Sequence, residues 1–151
     1  MKNFLFKEKH LLISIAIGVV CLICLVLSNI LGSFKILSMD LNNSLLTTSG
    51  VFIGFVITAL GIYYSVTLRD EIKSILIKQG YYKQISRNFI IGMFLFVGSV
   101  VFSILSICLF NEEGCFVIQH VLSSINISLF LTGLVILLST SINLFKVLVK
   151  N

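Results

Sequence analysis

The chain has 151 residues, 58% hydrophobic and 11% charged, with a mean hydropathy of +1.11 and a formal net charge of +5. A soluble domain of that length cannot hide so much apolar surface, which excludes an ordinary water-soluble enzyme or binding module. The natural class is a membrane protein.

Four stretches carry no charge, at 11–34, 41–68, 88–111 and 114–145. Each is at least as long as the ~20 apolar residues a helix needs to cross a bilayer. The expected fold is therefore all-α: a four-transmembrane-helix bundle forming a single domain over the whole chain. No proline occurs anywhere, so nothing forces a kink or break.

The first helix is expected over about 11–31. Lys2, Lys7 and Lys9 precede it as they would a signal peptide. Its apolar core, from Leu11 to about Leu31, is too long for a typical signal and no small-x-small cleavage site follows, so a retained helix is predicted. Ser14, Gly18, Cys21, Ser28 and Gly32 form its small, weakly polar face. Cys21-x-x-Cys24 has redox spacing, but working cysteines must reach the surface and these sit mid-helix. Cysteine as a small hydrophobe is the expected role.

An outer loop, "GSFKILSMDLNNS", leads to the second helix, expected over about 45–67 with a cytoplasmic extension to about 79. Ile72, Ile75 and Leu76 recur there at helical spacing. Thr47, Gly50, Gly54, Thr58, Gly61 and Ser65 fall within an arc of about 80° on the helix surface. This small-xxx-small pattern lets helix backbones approach closely in lipid, within one bundle or across a subunit boundary.

The turn that follows mixes Arg69, Lys73, Lys78, Lys83 and Arg87 with Tyr81 and Tyr82. Interfacial tyrosines beside headgroup-binding lysines are one reading. Docking of a cytoplasmic effector protein is the other.

The third helix is expected over about 89–110, with Gly92, Ser99, Ser103 and Ser106 on one face. A short acidic loop carries Glu112 and Glu113, and Cys108 and Cys115 flank it in a redox state left open. The fourth helix is expected over about 121–145. Asn126, Gly133 and Thr140 share one side at heptad spacing, while Ser128, Thr132, Ser139 and Asn143 form another whose centre lies more than about 100° away. One such face is usable inside a bundle; the second calls for a neighbouring subunit or water. The expected assignment puts the second-helix stripe with Asn126, Gly133 and Thr140 at helix or subunit contacts. Ser128, Thr132, Ser139, Asn143, Glu112 and Glu113 are the candidate pore-facing residues.

The basic residues predict orientation. With the N-terminus cytoplasmic, Lys2, Lys7, Lys9, Arg69, Lys73, Lys78, Lys83, Arg87, Lys146 and Lys150 all lie inside and only Lys35 outside. The positive-inside rule thus predicts an inner-membrane protein with both termini cytoplasmic. The positive charge faces lipid headgroups, so no direct nucleic-acid partner is expected.

No acidic or basic side chain lies within a predicted helix core, which argues against a coupled transporter. His10 and His120 sit at membrane borders, outside any metal-ligand pair or serine-nucleophile motif. No enzyme activity, metal or cofactor is expected. The expected partners are the lipid bilayer, further copies of the chain in a homo-oligomer, and a cytoplasmic effector.

The run "SGVFIGFVITALGIYYSVTLRDEIKSILIKQGYY" resembles the small four-helix membrane proteins of phage exclusion typified by RexB. The layout is similar to the Kiwa membrane subunit KwaA and the Hailong channel HalB. The resemblance covers about residues 45–110 and is carried by the hydrophobic pattern with Gly50, Ala59, Leu60, Gly80 and Tyr81. It implies an oligomeric membrane effector or sensor of a prokaryotic antiviral system, often an ion channel that depolarises the cell. It brings no catalytic residues, and the acidic loop at Glu112 and Glu113 has no counterpart in it. A non-conducting scaffold that recruits a cytoplasmic effector is the alternative expectation.

Overall fold

A computed structural model describes residues 12, 13, 15–25, 27, 39–68, 74, 77, 82–109 and 116–149. These include four helices whose limits are described: α1 (Ile15–Leu25), α2 (Met39–Thr67), α3 (Tyr82–Cys108) and α4 (Phe116–Val149). Three contain spans long and apolar enough to cross a membrane, Asp40–Ser65, Tyr82–Cys108 and Ile118–Phe145. A helix suits such a sequence because it satisfies every interior backbone polar group without water. α1 is apolar but shorter as described.

The elements follow the predicted order, with shifted limits. α2 starts at Met39 rather than near 45, so "DLNNS" is helical instead of a turn. Asp40 lies in its first turn, where a carboxylate complements the helix dipole. At its other end Leu68 N–H and the Thr67 hydroxyl both donate to the Tyr64 carbonyl, at 3.1 and 3.0 Å. Those bonds occupy a carbonyl that the helix would otherwise leave open. Of the predicted extension to 79, only Ser74 and Ile77 are described beyond Leu68, and both are helical.

Burial follows a seven-residue rhythm. In α2 the buried positions Asn42, Ser49, Val56 and Tyr63 are each seven apart. In α3 Ile85, Phe89, Gly92, Phe96, Ser99, Ser103 and Ser106 alternate steps of four and three. In α4 Gln119, Ser123, Asn126, Gly133, Leu137 and Thr140 keep the same register, with the half-buried Phe130 between Asn126 and Gly133. Such repeats mark helices packed side by side at shallow crossing angles. α3 lies against both α2 and α4, while α2 reaches α4 over a smaller area.

The core has three zones. Polar side chains occupy the end holding Asn42, Ser106 and Ser123. Phe52, Phe96 and Phe130 then join the three long helices. Phe52 stacks on Phe96 with centroids 5.2 Å apart, and Phe130 meets both edge-on at 5.8 and 5.6 Å. Val56, Tyr63, Ile85, Phe89 and Leu137 fill the other end. Two glycines set the α3–α4 separation. A Cβ at Gly133 would stand 3.1–3.3 Å from the Phe96 ring, and one at Gly92 would stand 3.1 Å from Leu137 Cδ2.

Candidate functional site: a buried polar network and an outward small-residue face

Seven polar side chains from α2, α3 and α4 form one hydrogen-bonded network. Asn42 Nδ2 donates to Ser106 Oγ and Ser123 Oγ, both at 3.1 Å. Those two hydroxyls bond each other at 2.9 Å. Asn126 Nδ2 donates to Ser103 Oγ at 2.7 Å and to Asn42 Oδ1 at 3.4 Å. Asn126 Oδ1 accepts from Ser99 Oγ, which in turn bonds Ser49 Oγ at 3.0 Å. None of the seven is more than 1% exposed.

The network is neutral, and its members satisfy one another. Both amide hydrogens of each asparagine are spent. Each bond between membrane helices contributes on average about 0.6 kcal/mol and up to about 1.7. An orphaned amide in an apolar interior would cost more than that. The chemistry therefore fixes the register of three helices.

Asn126, Gly133 and Thr140 are buried within the bundle. The Thr140 hydroxyl returns to the Ile136 carbonyl at 2.7 Å. Ser128 and Thr132, candidates for a pore lining, are buried instead against α1. Ser128 Oγ donates to the Gly18 carbonyl at 2.8 Å, and a Cβ at Gly18 would overlap the Thr132 hydroxyl. The second polar face of α4 is thus taken up in part within the same chain. Ser139 and Asn143 are half-buried.

The α2 stripe behaves oppositely. Thr47, Gly50, Gly54, Thr58, Gly61 and Ser65 are all exposed, and a Cβ at Gly50, Gly54 or Gly61 would meet nothing within 4 Å. The hydroxyls of Thr47, Thr58 and Ser65 bond carbonyls of their own helix at 2.8–3.0 Å. Geometry explains the outward turn: Thr47, Gly54 and Gly61 lie five residues beyond Asn42, Ser49 and Val56, about 140° round the helix.

At the basic end, Tyr63 Oη donates to the Tyr82 carbonyl at 2.9 Å, and Tyr64 Oη bonds Ser86 Oγ at 2.7 Å. Tyr82, a candidate partner contact, is half-buried against the Tyr63 ring, whereas Lys83 and Arg87 are exposed. Arg69, Lys73, Lys78, Tyr81, Glu112, Glu113, His10 and Cys115 lie outside the described residues. Cys21 is half-buried, and Cys24 and Cys108 are exposed. Among the described residues, no three His, Cys, Asp or Glu side chains gather in a metal-binding group.

Asn42, Ser49 and Ser123 complete a network that the sequence reading reaches only through Ser99, Ser103, Ser106 and Asn126. The missing signal was available in the seven-residue spacing of Asn42, Ser49, Val56 and Tyr63. No family model, curated protein sequence or solved structure matches the chain.

Proposed function

We propose that the chain is a subunit of an oligomeric inner-membrane assembly in a prokaryotic antiviral system, with both termini cytoplasmic. In this reading the outward α2 stripe is the subunit contact, and the assembly acts as a pore or as a phage-sensing membrane unit. One observation carries the proposal: six small or hydroxylated residues line one face of α2, and no side chain of the described bundle fills the space over its glycines. In lipid, close backbone approach along such a face is a main source of helix association. The antiviral role comes from the resemblance over residues 45–110, and the orientation from the basic residues.

The network bears on where ions would pass. Seven linked polar groups, none more than 1% exposed, close one end of the bundle interior and the phenylalanine cluster and apolar side chains close the rest, so in this reading any conducting path runs between subunits and not through one chain. Glu112 and Glu113, on the outer side in the proposed orientation, would concentrate cations at its mouth.

The same closed interior favours a second reading, a non-conducting scaffold that holds a cytoplasmic effector near the exposed Lys83 and Arg87. One experiment separates the two. The assembly mass of the full chain and of Gly54→Leu is measured in detergent, alongside membrane potential in cells expressing each. The pore reading expects a larger assembly for the parent chain, loss of that assembly in Gly54→Leu, and loss of depolarisation with it. Assembly without depolarisation, even under phage challenge, supports the scaffold. A parent chain that runs as a monomer defeats the assembly itself.

A further inference from the structure

The outward faces of α2 and α3 differ in chemistry. On α3 the exposed residues Lys83, Arg87, Ile90, Phe94, Val97 and Val101 follow steps of four and three, the rhythm of the buried line on the opposite side of the helix. At 100° per residue they fall within an arc of about 80°. The line has a cationic head, where α3 begins, and a bulky apolar tail. The small residues of the α2 stripe admit a neighbouring helix backbone, whereas Ile, Phe and Val side chains hold one off. A flexible hydrocarbon chain can lie along them instead.

The head is more than two charges. Lys83 lies one helical turn from both Ser86 and Arg87. The hydroxyls of Ser86 and of Tyr64 on α2 bond each other at 2.7 Å. Such a pair uses one of its two hydroxyl hydrogens and leaves the other for an outside acceptor. Arg87 brings five N–H donors in a planar fork that matches phosphate oxygens. Among the described residues the one acidic side chain is Asp40. It lies in the first turn of α2, beside the Asn42–Ser106 bond and so at the far end of α3 from Lys83.

The length fits one leaflet. From Arg87 to Val97 the helix rises about 15 Å, half of the roughly 30 Å hydrocarbon core of a bilayer.

We propose that this face of α3 binds an anionic phospholipid of the leaflet at its Tyr82 end. The phosphate lies against Lys83, Arg87 and the Tyr64–Ser86 hydroxyl pair, and an acyl chain runs along Ile90, Phe94 and Val97. The proposal rests on the membrane reading of the Tyr82–Cys108 span and is independent of whether the assembly conducts. It puts lipid where the scaffold reading docks an effector.

The test uses the full chain, purified in zwitterionic detergent and stripped of lipid, with lipid adducts counted by native mass spectrometry. Phosphatidylglycerol and phosphatidylcholine with the same acyl chains are compared on the parent and on Lys83→Gln with Arg87→Gln. A control of equal charge change carries Lys2→Gln with Lys7→Gln. The parent should hold phosphatidylglycerol about tenfold or more tighter than phosphatidylcholine, on the scale of two basic residues at an anionic surface. That preference should vanish in Lys83→Gln with Arg87→Gln and survive in the control. Equal binding of the two lipids overturns the proposal. So does an equal loss in the control, because net charge then accounts for the attraction. Inorganic phosphate that displaces the lipid at equal concentration overturns it too, because the face then reads a free anion. A parent chain that stays dispersed without detergent defeats the membrane reading itself and the proposal with it. Should the double variant fail to accumulate, Lys83→Gln alone is read the same way, with a loss of about threefold or more expected.

Discussion

Asn126 on α4 donates a hydrogen bond from Nδ2 to Oδ1 of Asn42 on α2, across 84 residues of sequence. The distance of 3.4 Å makes this the longest link in the network, yet it joins the two asparagines that the serines surround. Neither is more than 1% exposed. Removing either amide takes a hydrogen-bond partner from buried hydroxyls on the facing helices and from the other amide, so Asn42→Ala and Asn126→Ala should each cost about 1–3 kcal/mol. A double-mutant cycle, read from unfolding in mixed micelles, should give a coupling of about 0.5–2 kcal/mol. Additive losses would mean that the two amides act separately.

Tyr63 closes the opposite end of the same seam. Its hydroxyl donates to the Tyr82 carbonyl at 2.9 Å while its ring lies against those of Tyr64 and Tyr82. Tyr63→Phe keeps the ring and deletes one neutral bond, so a loss of about 0.5–1.5 kcal/mol is expected. Tyr64→Phe removes the bond to Ser86 at an exposed position and should cost less. Equal losses would refute the claim that burial makes the difference.

The helical architecture is legible from the charge-free stretches, and so is much of the inward face of α3 and α4. Ser99, Ser103 and Ser106 lie on one predicted face, and Asn126, Gly133 and Thr140 on another, with all six buried. α2 is harder to read, for two physical reasons. "LNNS" carries residues that favour turns by bonding their own backbone, which hides Asn42 from a helical reading. The Gly/Thr stripe is also more conspicuous than the buried line, whose Asn, Ser, Val and Tyr share spacing but no common chemistry. Periodicity marks both faces of α2; the partners on α3 decide which one turns inward. The cover over Ser128 and Thr132 is a matter of pairing between distant helices, and spacing along α4 alone does not specify it.

The glycines give the sharpest contrast, because the same residue type faces opposite environments in α2 and α4. A methyl group at Gly133 presses to 3.1–3.3 Å on the Phe96 ring, whose own neighbours Phe52 and Phe130 limit its retreat. Gly133→Ala should therefore cost about 1–3 kcal/mol through overpacking. A methyl at Gly54 meets nothing within 4 Å, so Gly54→Ala should leave the isolated subunit within about 0.5 kcal/mol of the parent. In the proposed assembly, bulk on that face would act on contacts between subunits: Gly54→Leu should lower the assembly mass while its monomer melts like the parent. Gly133→Leu should instead reduce folded protein at every concentration. Measuring melting and assembly mass together for these variants distinguishes the two faces. A Gly54→Leu subunit that melts as early as Gly133→Leu would place the α2 stripe inside the fold and end its assignment as an outward surface.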